Sequence, residues 1–390
     1  MRQRSRIILY APSAAITARP DLLDRVAERY DLRSVIIRSP DRTAFELVRE
    51  RDLDALWLAP GLWGDGQQPA TNRAVFPSVP GWDASLHPAY ERQFPMQCPN
   101  SPGFAGELGA YYAQTANALG ATGVFATHQR YHHPANLEHL WGCICPNCWV
   151  TAAQTGLDVG EVSNFWRALA HKLAKLPAEQ WAQVPVMAST NPLIDWWAAL
   201  TDMDFPLRWF AWKNTSIESH MLRVRAAFEA GAPKLAFAAN CFEPLLAPLV
   251  GNAPTTQRSS IWYAPLLGYW SHHVHGSLEN LAAWHLILSS QGTRDSILQA
   301  LATLLGVGAA LNDAAHGIRQ ELYLGAAQAA QLGMEYYPVL NGTIANQYGG
   351  TASQFSLAEG LDLAEKLGAA GVIVQGISQL LDDALLDFWY

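Results

Sequence analysis

Charge is scarce in this chain. Only 15% of its 390 residues are Asp, Glu, Lys or Arg, while 50% are hydrophobic and 11% aromatic. That balance excludes a mostly disordered chain and supplies ample material for a large packed core. Basic residues are the scarcer sign, 26 Lys and Arg against 34 Asp and Glu, for a net charge of −8. With no clustered basic stretch, the electrostatic footprint of a nucleic-acid or anionic-membrane binder is missing. No apolar run approaches the roughly 18 residues that span a bilayer. The N-terminus has a basic start and a short apolar run, but Pro12 and Ser13 break it after Tyr10. A signal peptide needs an unbroken apolar stretch of about 7–15 residues, so the run reads as a buried strand. Five cysteines, an odd number in a long chain, do not make a disulfide framework, and a reducing, cytoplasmic setting is expected. Repeats and low-complexity segments are missing. Neither a GxGxxG nor a GxxxxGK[ST] motif follows the early strands, which removes the fingerprint of a dinucleotide or P-loop site.

What is present is alternation. Short apolar runs rich in β-formers occur at Ile7–Tyr10, Ser34–Arg38, Ala55–Ala59, Gly123–Thr127, Lys234–Ala239, Ser260–Pro265, Tyr336–Leu340 and Gly371–Val374. Several are nearly unbroken, as strands covered on both faces should be. Helical patterns fill the gaps: Asp21–Tyr30, Phe104–Leu119 before Gly120, Leu357–Leu367 before Gly368, and Ile217–Ala230. Val186–Ser189 is a weaker strand candidate. Eight strands with intervening helices predict an α/β fold, a single (β/α)8 TIM barrel over residues 1–390, with a helical insertion after the fourth strand at about 150–231. An open doubly wound sheet is the alternative. In a barrel the functional groups sit at the carboxyl ends of the strands, so the strand order becomes a site order.

Three stretches carry a resemblance. The first is Cys98-Pro99-Asn100-Ser101-Pro102, then a helix, then a strand running into His128-Gln129-Arg130-Tyr131. The second is Cys143-Ile144-Cys145-Pro146-Asn147-Cys148. The third runs from Phe242-Glu243-Pro244 to Gly251. In this order they resemble a group of poorly characterised bacterial glycoside-hydrolase-like barrels, from about Ala55 to the C-terminus. The resemblance implies a sugar-directed barrel with carboxylates at the strand ends. Here the acid that the group carries at the end of the fourth strand falls on Thr127. An acidic position ending the fifth strand falls near Asn240. The seventh strand ends Leu340-Asn341, and the last reads Val374-Gln375-Gly376.

Glycoside hydrolysis ordinarily needs two carboxyl groups flanking one bond. Amides and hydroxyls do not shuttle that proton, but they bind sugar hydroxyls as donors and acceptors. Among the remaining carboxylates Glu243 is the best placed, just past the fifth strand, although it also suits a turn before Pro244. His128 is the candidate general base beside it. Arg130 suits an anionic substrate group. Tyr131, Asn240, Asn341 and Gln375, with Trp63 and Trp270 as aromatic faces, complete the candidate substrate-binding set. Most of the 15 tryptophans read as packing. His272, His273 and His275 follow the sixth strand and read as loop residues before a metal site. Cys143, Cys145 and Cys148 are three thiols within six residues. With Cys98 they would close a tetrahedral, structural zinc site; reduced buried thiols, or one disulfide and a spare, are the competing readings. Cys241 reads as a small core residue. Two functions follow. One is a glycoside hydrolase working through Glu243 and His128. The other is a barrel of the same kind, deficient in hydrolysis, that binds a sugar or related polar ligand or assists a partner enzyme. The ligand is a small molecule or oligosaccharide, and oligomeric state is open, a homo-oligomer included.

Overall fold

The computed structural model describes residues 5–62, 73–83, 95–132, 134–135, 137–184, 191–268, 270–289, 292–343 and 356–383. Eight strands are present: β1 Arg6–Ala11, β2 Asp31–Ile37, β3 Asp54–Ala59, β4 Gly123–Ala126, β5 Ala236–Cys241, β6 Ala264–Pro265, β7 Val339–Asn341 and β8 Val372–Gln375. All neighbours pair in parallel, in the order β6-β5-β4-β3-β2-β1-β8-β7. Two parallel bridges, Tyr263 to Tyr336 and Leu266 to Val339, join the β6 and β7 ends. The ring closes there through Tyr337 N donating to Tyr263 O and Leu267 N to Val339 O, both at 2.9 Å. The (β/α)8 barrel is therefore the fold.

The helices are α1 Ser13–Ala18, α2 Asp21–Arg29, α3 Arg42–Arg49, α4 Phe104–Leu119, α5 Leu137–Leu140, α6 Pro146–Gln154, α7 Glu161–Leu173, α8 Pro192–Thr201, α9 Phe205–Gly231, α10 Gly276–Ser289, α11 Arg294–Leu304, α12 Ala314–Leu332, α13 Leu357–Lys366 and α14 Ser378–Leu381. Local chemistry sets their ends. Asp41, Asn191, Asp313 and Ser356 each cap a helix by accepting from a backbone N–H of the first turn. Five of the helices, α5 to α9, lie between β4 and β5, and α9 lies along α4. The expected strand at Val186–Ser189 falls outside the described residues.

Strand alternation sorts the core into two layers. Ile8, Ile36, Leu56, Phe125, Ala238, Ala264, Leu266, Tyr337, Val339 and Ile373 fill the barrel interior. Their neighbours, such as Leu9, Val124, Phe237, Ala239 and Val374, face outward to the helices. The tryptophans mostly occupy the outer layer. Trp141 sits among Phe165, Trp166, Trp197, Phe210 and Trp284, with ring centroids 5.2–6.1 Å away. His285 is part of this apolar stack. Burial pulls its pKa down to about 4, so it is neutral: Nδ1 donates to Leu281 O and Nε2 accepts from Trp197 Nε1.

Candidate functional site

Two residues beyond the interior layer, on the same strand faces, stand Tyr10, Leu58, Thr127, Asn240, Asn341 and Gln375. This ring forms the upper floor of the barrel, at the carboxyl ends of β1, β3, β4, β5, β7 and β8. It contains no carboxylate among the described residues. Asn240 Nδ2 donates to Thr127 Oγ1 at 3.2 Å, tying β5 to β4. Asn341 Oδ1 accepts from Thr343 N at 3.0 Å and from its hydroxyl at 2.7 Å, which leaves the Asn341 amide N–H2 directed by that turn. Thr127 and Asn240 are buried, whereas Tyr10, Asn341 and Gln375 are half-buried.

The β4 end is held by close backbone approach. His128 takes a left-handed φ of 54°, uncommon for a non-glycine residue. Its carbonyl accepts from Leu62 N at 3.0 Å. A Cβ on Gly61 would lie 2.1 Å from Thr127 O and 2.4 Å from the His128 carbonyl carbon, so only glycine lets the two loops meet. Gly61→Ala is expected to cost roughly 3 kcal/mol or more, because backbone must move. Chemical denaturation would detect it; a loss below about 1 kcal/mol would show that the loops separate easily.

Past β5 the chain enters a buried row of polar and aromatic groups. The Arg130 guanidinium, 3% exposed, stacks 4.3 Å from the Phe242 ring centroid. Phe242 in turn packs against His273, with centroids 4.9 Å apart. His273 Nδ1 lies 2.5 Å from Glu243 Oε1, and Glu243 is wholly buried. His273 belongs to a π-helical turn, Ser271–His275, just before α10; such turns recur where a helix must aim a side chain. Glu243 and His273 thus form a dyad in which the carboxylate orients the imidazole. Behind them, on the helix side, lies a second acid. Glu321 of α12 is 2% exposed, and its Oε2 accepts from Leu245 N at 3.1 Å. Burial first, and the neighbouring Glu243 charge second, raise its pKa well above the ordinary carboxylate value.

The cysteine cluster is separate from this row. The sulfurs of Cys98, Cys143, Cys145 and Cys148 all lie within 4.8 Å of one another, in full burial. Cys98 to Cys148 is 3.4 Å and Cys145 to Cys98 is 3.5 Å. Four thiolates at about 2.3 Å from one zinc stand roughly 3.8 Å apart, so the donor set fits a single tetrahedral ion. It is too compact for an iron–sulfur cluster, which holds its thiolates further apart. N–H donors already serve two of the sulfurs: Val75 N to Cys143 Sγ at 3.2 Å and Asn100 Nδ2 to Cys148 Sγ at 3.4 Å. Sulfur-directed donors of this kind orient metal thiolates. Hydrogen bonds from Cys143 and Cys148 lower the pKa of the Cys98 thiol. Cys241, the fifth thiol, is buried at the end of β5 and takes no part.

The residues singled out from sequence divide accordingly. Asn240, Asn341 and Gln375 share the upper ring, and Glu243 and Arg130 share the buried row with His273. His128 is half-buried at the β4 end. Tyr131 is placed elsewhere: it is wholly buried against Lys213, beside the cysteines. Trp270 belongs to the outer core, where a Cβ on Gly317 of α12 would lie 2.2 Å from its indole. Trp63 falls outside the described residues, as does the side chain of His272. Sequence reasoning missed Glu321 and the role of His273. Glu321 had a signal: it shares the buried face of α12 with Ile318, Leu322 and Gly325, where an acid is out of place.

No protein-family model matches the chain, and no curated protein matches it in sequence. Solved structures resemble it in fold. The glycoside hydrolase domain of PgaB (BpsB) from Bordetella bronchiseptica aligns at TM-score 0.54 and 11% identity, over 99% of this chain and 97% of that one. The polyextremophilic β-galactosidase of the Antarctic haloarchaeon Halorubrum lacusprofundi aligns at TM-score 0.51 and 12% identity, over 95% of this chain and 52% of that one. The chain thus has the barrel fold of glycoside hydrolase domains.

Proposed function

We propose that this barrel binds a carbohydrate or a related polyhydroxylated ligand at the carboxyl ends of its strands, without the paired-carboxyl chemistry that glycoside hydrolysis ordinarily needs. The observation that carries this reading is the ring of Thr127, Asn240, Asn341 and Gln375, neutral donors and acceptors at strand ends where the resemblance to glycoside-hydrolase-like barrels implies acids. Such groups can donate to and accept from sugar hydroxyls. The two buried carboxyls beside the ring, Glu243 and Glu321, are 0% and 2% exposed, which suits them to internal support rather than to opposite flanks of a glycosidic bond.

A panel of neutral oligosaccharides, read by thermal shift and calorimetry, tests this. The expected result is saturable binding without turnover, weakened about tenfold in Asn240→Ala, the equivalent of about 1.4 kcal/mol for one lost hydrogen-bonding group. The Glu243–His273 dyad favours a second reading, in which proton transfer is retained. Release of nitrophenol from aryl glycosides by the wild type, abolished in Glu243→Gln, would replace the binding reading with the hydrolytic one.

We also propose that Cys98, Cys143, Cys145 and Cys148 hold a structural zinc ion. Bound there, zinc would pin the loop between β4 and α6 to the segment before α4. The site is closed, with all four positions taken by protein, so it has no part in ligand chemistry.

A further inference from the structure

One face of α9 is polar where a buried helix should be apolar. Lys213, Ser216, His220 and Arg223 recur at spacings of three and four, on the side of α9 turned to the cysteine loops. Lys213 is wholly buried. Its Nζ donates to the carbonyls of His139 at 3.2 Å, of Leu249 at 2.7 Å and of Leu140. Three acceptors require three N–H donors, which only the ammonium form has. No carboxylate pairs with it among the described residues. Ser216 accepts from Asn100 Nδ2 at 3.3 Å, and the same amide serves Cys148 Sγ. Arg223 reaches Pro99 O at 3.3 Å. Apart from Leu249 O, which lies after β5, each contact falls on one of the two segments that lead to or carry the thiols.

A buried cation without a counter-charge is costly. So is a buried tetrathiolate: four thiolates around a divalent ion sum to a double negative charge. Here Lys213 packs against Gly142, the residue before Cys143, and against Tyr131, which also neighbours the thiols. The Tyr131 ring stands 4.6 Å from Lys213 Nζ, and its hydroxyl feels Cys148, Cys143 and Cys98. Lys213 also grips Leu140 O, three residues before Cys143, and a Cβ on Gly142 would lie 3.4 Å from Lys213 Cε. We propose that Lys213 is the built-in counter-ion of the metal–tetrathiolate centre, and that through Leu140 O and Leu249 O it couples metal loading to the loops after β4 and β5. Burial acting alone would drive the Lys213 proton off; the adjacent double negative charge opposes that and keeps all three carbonyls served. Lys213 touches no ligand of the upper ring, so it is a positioning residue.

The inference rests on the zinc reading, and the two fail separately. Zinc affinity is measured by competition with a chromophoric chelator, in wild type and in Lys213→Met, whose flat unbranched chain keeps the packing. The expected result is at least tenfold weaker zinc binding in the variant, with unchanged far-ultraviolet circular dichroism. A wild type that takes up no zinc sinks the zinc reading and this one with it. A wild type that holds zinc, beside a folded variant of equal affinity, sinks the counter-ion alone. If the variant does not fold, hydrogen exchange of the wild type decides. Zinc should slow exchange at the amides of Tyr131, Gly142 and Leu249 at least tenfold, since those amides sit in the loops that Lys213 holds. Equal rates with and without zinc would overturn the coupling.

Discussion

Cys148→Ser is expected to empty the zinc site and to loosen the loops that it ties. Hydroxyl is a poor replacement for a thiolate, and a metal held by four sulfurs loses most of its affinity with one gone. Cys98 precedes α4, whereas Cys148 lies in α6, so the metal would cross-link segments 50 residues apart in sequence. Structural zinc contributes its binding free energy to folding. A loss on the order of 5 kcal/mol is therefore expected, with an unfolding midpoint lower by roughly 6 °C. Elemental analysis should fall from about one zinc per chain to near none, and limited proteolysis should open the chain between β4 and α6. Cys241→Ser is the control. That thiol is equally buried but lies outside the cluster, so zinc content should be unchanged. If Cys148→Ser and Cys241→Ser behave alike, the cluster is four reduced thiols and the zinc reading is lost.

The barrel was legible because its strands are short apolar runs, and each of the eight expected runs overlaps an observed strand by at least two-thirds of the shorter span. The last element boundaries were not. The run Lys234–Ala239 suggested a strand that begins two residues early; β5 is Ala236–Cys241. The shift puts Asn240 inside the strand, where alternation turns it to the barrel axis beside Thr127. The run Ser260–Pro265 shrinks to Ala264–Pro265, because Ser260 Oγ is occupied in accepting from Ala239 N and Trp262 N. The metal candidate was legible from spacing, since Cys143, Cys145 and Cys148 fall on one tight turn and the start of α6. Cys98, the expected fourth member, lies far from them in sequence and is brought to them by the fold. Glu243 was visible at a strand end, but its partners were not: His273 owes its aim to a π-turn, and Glu321 comes from the middle of α12. Tyr131 looked like a mouth residue by position. Its N–H bonds to Val250 O and turns the ring under Lys213, a contact that depends on α9 and is unreadable from the local sequence.

Glu321→Gln is expected to change the pH profile of stability more than its baseline. The Glu321 carboxyl has a folded-state pKa raised well above its ordinary 4.5. Below pH 4.5 both folded and unfolded chains carry the proton, so ionisation contributes nothing. Above it the unfolded chain releases the proton and the folded chain keeps it. The wild type therefore loses stability as pH rises, by about 1.4 kcal/mol per pH unit for as long as the buried carboxyl stays protonated. Glutamine cannot ionise, and its carbonyl can still accept from Leu245 N, so this term vanishes in the variant. The Oε1 position of Glu321 has no hydrogen-bond partner, and an amide N–H2 placed there adds a cost on the order of 1–3 kcal/mol. That cost does not vary with pH, so the comparison is made on slopes. Urea denaturation at half-unit steps from pH 4.5 to 8 should give wild-type and variant curves that diverge steadily, the variant gaining. Parallel curves would mean that Glu321 ionises as freely in the folded chain as in the unfolded one. Glu243 would then have a second charged acid at its back, and the dyad with His273 would be set in a far more negative pocket than burial allows.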